Sequence, residues 1–441
     1  MFETKESPRM VERALLLSTY TKAEEKHEAA SLLEELEELV DTLGIPVVDR
    51  QLVHHRENHA RYLTGSGKAE EMVALAKSQQ VDVIIFDHEL TPAQQRNWEE
   101  LSGMVVIDRQ EVILDIFAKR AQTREARLQV DLARMEYSMS RLTRAWSHLG
   151  QQGGGIGAKG EGESQLEQDK RRIRGTVDRL KRDLAAVHQR RATQRKDRKR
   201  EPVPNAAIVG YTNAGKSSLL KALTGAEVLI EDKLFATLDT TTRKIALPNK
   251  QPLLLTDTVG FVRKLPHRLI EAFNATLEEA VMADFLIHLL DASQPEVMDF
   301  YNTTRRVLGE LGGDEKRGLL VFNKIDKVTD PAVLANLRRH FPESVFISIK
   351  TGQGMEALVE RISEFVANDV TTIEVKIPQS RSDLIARLHR EAKVLATEYV
   401  GNDVRMTARA ARRTTRDYDA FRDEEPIAAL VPSGEASDNG A

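Results

Sequence analysis

The chain of 441 residues contains no cysteine. Disulfides and thiolate metal sites are therefore excluded, and the reducing cytoplasm is the expected location. Long apolar runs are missing too. No stretch approaches the roughly 20 apolar residues of a membrane span, and Met1-Phe2-Glu3-Thr4-Lys5-Glu6 forms no apolar signal region. Neither a membrane span nor a secretory leader is expected. Aromatics are only 5% of the chain. What is there is 41% apolar residues, enough for real cores, and 30% charged ones. At roughly 150 residues per domain the length predicts about three domains. The net charge of −4 hides an asymmetry, because residues 170–200 hold fourteen Lys and Arg against three Asp.

Residues 1–117 read as an N-terminal α/β domain. Strand candidates are 14–17, 45–48, 81–86 and 105–107, with an amphipathic helix over 28–43, and their alternation implies a parallel sheet. Gly65-Ser66-Gly67-Lys68 imitates a phosphate loop but lacks the upstream glycine and a following Ser or Thr, so it reads as a loop before a helix.

Residues 118–201 read as a long antiparallel helical hairpin. One helix is predicted over 113–149, with Leu128, Leu132, Met135, Met139, Leu142, Trp146 and Leu149 in heptad steps. A second stripe runs through Ile173, Val177, Leu180, Leu184 and Val187. Between them, residues 150–162 contain seven glycines. Antiparallel helices are usually joined by roughly 2–8 residues, so a glycine-rich tip of this length points to a functional element rather than a linker. The arms would reach about 30 Å. The basic block on the second arm is a solvated face or a contact for phosphate backbones, and its one-sided charge favours the latter. Few aromatics lie there to stack bases, which leaves shape and phosphate recognition of folded RNA.

Residues 202–369 carry the nucleotide signature. Gly210-Tyr211-Thr212-Asn213-Ala214-Gly215-Lys216-Ser217 reads G-x-x-x-x-G-K-S, after an apolar run at 206–209 and before a helical pattern from Ser218. Glycines let backbone N–H groups close on phosphates; Lys216 would reach the β- and γ-phosphates and Ser217 would ligate Mg²⁺. A strand at 253–255 then ends in Asp257-Thr258-Val259-Gly260, where Asp257 would hold Mg²⁺ through a water and the Gly260 N–H would bond the γ-phosphate. Another strand ends in Asn323-Lys324-Ile325-Asp326. Its carboxylate would accept the two N–H groups of a guanine edge that adenine does not offer, with Lys324 over the base and Asn323 bracing the loop. Ser348-Ile349-Lys350 fits the element whose backbone meets the guanine oxygen, with isoleucine in place of the usual alanine. These elements in this order imply GTP and GDP as ligands and GTP hydrolysis as the reaction; N-K-x-D argues against a metabolic kinase. Thr237 is the chosen switch I threonine for Mg²⁺, with Thr240, Thr241 and Thr242 as competitors. Phe261 occupies the place where Ras-type proteins put a water-orienting glutamine, which predicts slow intrinsic hydrolysis and acceleration by a partner. Residues 370–425 read as a small α/β appendage with one strand at 372–377 and a helix at 383–395, and residues 426–441 as a disordered tail.

With these residues in hand the chain resembles the HflX family of translation-factor-related GTPases. The likeness extends to Asp108-Arg109, residues 113–121 and 128–133, the tip segments 154–157 and 160–167, residues 235–239 and Asp257 to Phe261, covering roughly 10–367. It implies an N-terminal α/β domain, a hairpin whose loop reaches the peptidyl-transferase region, and a GTPase domain. It also implies binding to the large ribosomal subunit and its rRNA, and splitting of stalled ribosomes under stress such as heat. Two departures stand out. The family's Arg-Gly-Pro-Gly-Glu is Lys159-Gly160-Glu161-Gly162-Glu163 here, adding an acid at the tip, and its switch I Asp-Pro is Asp239-Thr240, which loosens that segment. Three functions compete: ribosome splitting or rescue, checking of large-subunit assembly, and a regulatory switch that recruits a protein. A monomer is expected, since the hairpin can satisfy its own seam.

Overall fold

The computed structural model describes residues 12–145, 161–198, 203–225, 234–235, 237–248, 251–264, 279–313, 316–368, 370–411 and 415–423. The chain divides into two compact units. One comprises Met1–Gln189, Asn205–Ile245 and Leu255–Gly354; the other comprises Arg190–Pro204, Ala246–Leu254 and Met355–Ala441.

In the first unit, β1 (Ala14–Tyr20), β2 (Val47–His54), β3 (Val83–Phe86) and β4 (Val105–Asp108) form a parallel sheet in the order β2-β1-β3-β4. The unbroken apolar runs of β1 and β3 follow from burial on both faces. Leu16 and Ile85 face α1 (Lys26–Leu43) through Leu36 and Leu39. Leu15, Leu17 and Phe86 face α2 (Ser66–Ser78) and α3 (Pro92–Ser102) through Met72, Val73 and Trp98. Gly65 is the residue before α2, so the phosphate-loop imitation is a helix start.

Two helices replace the single one expected over 113–149. The first, α4 (Arg109–Arg120), stops at Ala121, and α5 (Arg124–Ala145) restarts after Thr123. The Thr123 hydroxyl accepts from the Ala126 N–H at 3.1 Å, and Arg127 Nε donates to the Ala121 carbonyl at 3.2 Å. A capping threonine thus competes with helix continuation and wins. The second arm, α6 (Glu161–Arg198), already includes Glu161 and Gly162, two residues expected in the loop. Leu132, Val177 and Leu180 are buried together, flanked by Leu128, Met135, Ile173 and Leu184. The heptad stripes are therefore the seam between the arms. The tip glycines 150–160, Trp146 and Leu149 lie outside the described residues, as does the tail 426–441.

A six-stranded sheet carries the site, in the order β10-β9-β8-β5-β7-β6, with β5 (Asn205–Gly210), β6 (Thr241–Ala246), β7 (Pro252–Asp257), β8 (Phe285–Asp291), β9 (Gly318–Asn323) and β10 (Val345–Phe346). Between these run α7 (Lys216–Thr224), α8 (Val297–Glu310) and α9 (Pro331–His340). All seven residues of β8 are buried, as a central parallel strand requires.

In the second unit α10 (Met355–Asn368) precedes an antiparallel sheet of β11 (Val370–Pro378), β13 (Asp403–Ala411) and β12 (Lys393–Val400), in that order. One helix, α11 (Ser382–Glu391), packs Leu384 and Leu388 on Val375, Ile377 and Met406. The expected helix to 395 and single strand are thus corrected. Gly401, at φ 62°, opens a two-residue Gly-Asn turn that pairs β12 with β13.

Candidate functional site

The site lies at the carboxyl ends of β5, β7, β8 and β9, where parallel α/β sheets leave a crevice. Gly210 closes β5, and the loop 211–215 delivers the chain into α7 with Lys216 as its first residue. Gly215 has φ 100°, and a Cβ there would lie 2.5 Å from Asn323 Nδ2. Only glycine fits. Exposed Asn213, left-handed at φ 58°, leads into the start of α7, the helix N-terminus that suits phosphate; the buried Thr212 and Ala214 give their N–H groups to the Phe261 and Tyr211 carbonyls.

Lys216 is 7% exposed and its Nζ donates to the Tyr211 carbonyl at 2.8 Å. Burial pulls its pKa down to about 8, against the opposing pull of Asp257. Ser217 Oγ donates to Asp257 Oδ2 at 2.6 Å and lies 2.6 Å from Thr237 Oγ1. Burial pushes the Asp257 carboxyl above the usual carboxylate range, although Lys216 and the two hydroxyls resist. Asp257 Oδ1 is buried with no hydrogen-bond partner, and so is Thr212 Oγ1. Two hydroxyls and one carboxylate with an unsatisfied oxygen form the hard-oxygen set that suits Mg²⁺. Thr240, Thr241 and Thr242 are not in that cluster; the Thr242 hydroxyl bonds Thr256 at 3.0 Å instead.

Gly260 packs so closely that a Cβ would lie 2.7 Å from Thr212 Cγ2 and 2.9 Å from Lys216 Nζ. Phe261 is 1% exposed; its N–H donates to Gly210 O at 3.2 Å and its carbonyl accepts from Thr212 N at 2.8 Å. Its ring belongs to the core and points no polar atom at the site.

At the end of β9, Asn323 Nδ2 donates to Ala214 O at 2.9 Å and Asn323 Oδ1 accepts from Ile349 N at 3.2 Å. One side chain thereby ties the phosphate loop to the 348–350 turn. Ser348 Oγ donates to Asp326 Oδ1 at 2.6 Å, which holds the exposed Asp326 carboxyl below its ordinary value. Lys324, in the left-handed region at φ 61°, extends its Nζ to 2.8 Å from Asp291 Oδ2. Lys350 is exposed beside Asp326.

Glu35, Asp87, Arg263 and Lys264, around the site, were not singled out in the sequence; Tyr211 was, as part of the phosphate loop, and Arg109 as part of the family likeness. Tyr211 OH donates to Glu35 Oε1 at 2.6 Å and accepts from Arg263 N at 2.6 Å. Glu35 also pairs with Arg109 and Arg263, each at 2.8 Å, and Asp87 pairs with Arg109 and Lys264, each at 2.8 Å. Buried charges survive only in such pairings. The one signal for them was an acid placed directly after the apolar run of β3.

Family models match along the chain: "GTP-binding GTPase N-terminal" at residues 30–118, "GTP-binding GTPase Middle Region" at 120–198 and "50S ribosome-binding GTPase" at 205–324. The GTPase HflX of Akkermansia muciniphila is 52% identical over 412 residues, spanning 91% of this chain and 94% of that protein. That of Lacrimispora saccharolytica is 42% identical over 400 residues, with 90% and 93% covered. For Escherichia coli the identity is 37% over 394 residues, covering 89% and 91%. With a phosphate loop, an N-K-x-D turn and identity of this extent from end to end, the chain belongs to the HflX family of GTPases.

Proposed function

We propose that this GTPase works with Mg²⁺ in the cytoplasm, binds the large ribosomal subunit through its basic helical arm, and separates stalled ribosomes into subunits. The observation that carries the reading is the pairing, in one chain, of the phosphate loop with α6. The exposed Arg171, Arg172, Arg174, Arg179 and Arg182 of that helix present an unbalanced positive surface. Such a surface suits the phosphate backbone of rRNA. The matched family's description as ribosome-binding supports the same partner. The seam between α5 and α6 is closed within the chain, which supports a monomer.

In this reading Ser217 and Thr237 ligate Mg²⁺ directly and Asp257 through a water. The ion, when bound, neutralises charge on the β- and γ-phosphates. Lys216 adds a buried positive charge, whose effect is large because water is excluded. The N–H groups of Asn213 and of Gly215 to Ser218 cradle the phosphates, and the Gly260 N–H senses the γ-phosphate. Asp326 accepts the guanine edge, Lys324 covers the ring, and the Ile349 and Lys350 backbone meets its oxygen. Phe261 has no group to orient water, so intrinsic hydrolysis is slow and the ribosome supplies what is missing.

Incubation of 70S ribosomes with the protein and GTP, followed by a density gradient and a phosphate-release assay, tests this. The expected result is conversion to subunits with GTP hydrolysis stimulated on ribosomes. Binding to free or immature large subunits without splitting points instead to an assembly role. No co-sedimentation at physiological salt leaves a switch for a protein partner.

A further inference from the structure

We infer that Asp239 is a positioning residue for GTP hydrolysis: it seats Thr237 by pinning switch I to the joint between α4 and α5. The Asp239 carboxylate accepts from the backbone N–H of Gln122 at 3.0 Å and of Thr123 at 3.1 Å, and from the Thr123 hydroxyl. Two residues earlier, Thr237 Oγ1 stands 2.6 Å from Ser217 Oγ. Leu238, between them, is 2% exposed. The chain from 237 to 239 is therefore held at both ends, one by the phosphate loop's serine and the other by the root of the helical hairpin.

The rest of the described switch I rests on the same body. Phe235 packs edge-on against Phe117 of α4, with ring centroids 4.6 Å apart, and Leu234 N donates to Thr42 Oγ1 at 3.2 Å. Among the described residues of this segment, 234–235 and 237–239, only Asp239 makes this contact through a charge. A carboxylate that accepts two backbone N–H groups and a hydroxyl, at the positive end of the 22-residue α5, is a strong and directional anchor. A threonine that must lie on Mg²⁺ only in the GTP state gains from such an anchor, because the segment need not be ordered at the moment of binding. By linkage, whatever Mg²⁺–GTP does to Thr237 is also felt at the joint from which the hairpin springs.

The proposal rests on Thr237 as the switch threonine, and the experiment separates the two. Affinities of full-length wild type, Asp239→Ala, Thr123→Val, the double variant carrying both, Thr123→Ser and Thr237→Ala are measured for a non-hydrolysable GTP analogue and for GDP across a Mg²⁺ titration. Thermal midpoints are recorded alongside. Asp239→Ala should weaken the analogue about tenfold in Mg²⁺ while GDP affinity stays within about twofold. Thr123→Val should err in the same direction with less effect, Thr123→Ser should restore wild-type behaviour, and Thr123→Val should add nothing to Asp239→Ala. In wild type the analogue should slow amide exchange at residues 122–127, and in Asp239→Ala it should not. If Thr237→Ala weakens the analogue and Asp239→Ala does not, the positioning role is wrong and the reading of Thr237 stands. If Thr237→Ala changes nothing, that reading fails and the proposal with it. Equal loss of GDP and analogue affinity in Asp239→Ala, with a lowered midpoint, would make Asp239 merely structural.

Discussion

Lys216 shows how much a single residue's setting adds to its type. The G-x-x-x-x-G-K-S spacing announces a phosphate-binding lysine, but it says nothing about how readily that lysine holds its proton. Burial lowers its pKa to about 8 in the free protein. Phosphate oxygens would raise it, so above pH 8 binding must draw a proton from solution. GTP affinity should therefore be constant below about pH 8 and fall above it, by up to about tenfold per pH unit. Fluorescent-nucleotide titrations between about pH 7 and 9.5 test this, and Lys216→Arg, which keeps its proton throughout, should flatten the profile. Asn323 makes the same point in reverse. Its identity and its bracing role were legible from N-K-x-D, while the partners of its bridge, Ala214 and Ile349, were not, because the three lie far apart in sequence.

Among elements, those with long uninterrupted periodicity were legible and those decided by a side-chain hydrogen bond were not. The heptad stripes of α5 and α6 meet as expected, so Leu132→Ala should open a cavity in the seam and cost about 2–4 kcal/mol. Hydrogen exchange across both arms reads the loss, with the nucleotide site unaffected. The break at residues 121–123 escaped notice because no glycine or proline marks it, although Lys119 to Glu125 offer only Ala121 to the apolar pattern. What ends α4 is the Thr123 cap, itself held by Asp239 over a hundred residues away. The strands β12 and β13 escaped for a different reason. Leu395, Tyr399 and Val400 are exposed on β12 and blur its alternation, so the Gly401-Asn402 turn was the better signal.

For the whole molecule, the proposed ribosome contact has an electrostatic signature. If the exposed arginines of α6 neutralise rRNA phosphates, log affinity should fall linearly with log salt. Replacing Arg171, Arg172 and Arg174 with Gln should reduce that slope by about two to three. Co-sedimentation over a range of potassium chloride concentrations measures it, and an unchanged slope would place the contact elsewhere.

Composition and local pattern determined the class of protein: no cysteine, no membrane-length apolar run, a guanine-nucleotide signature in order, and two amphipathic stripes joined by glycine. These are short-range properties, set by the spacing of residues along one strand, loop or helix. The tertiary structure alone decided which threonine stands beside Ser217, where the hairpin helix breaks, and how Glu35, Asp87, Arg109 and Arg263 are partnered. Each of those depends on a charged or hydroxyl group meeting a partner distant in the chain, and no local periodicity encodes such a meeting.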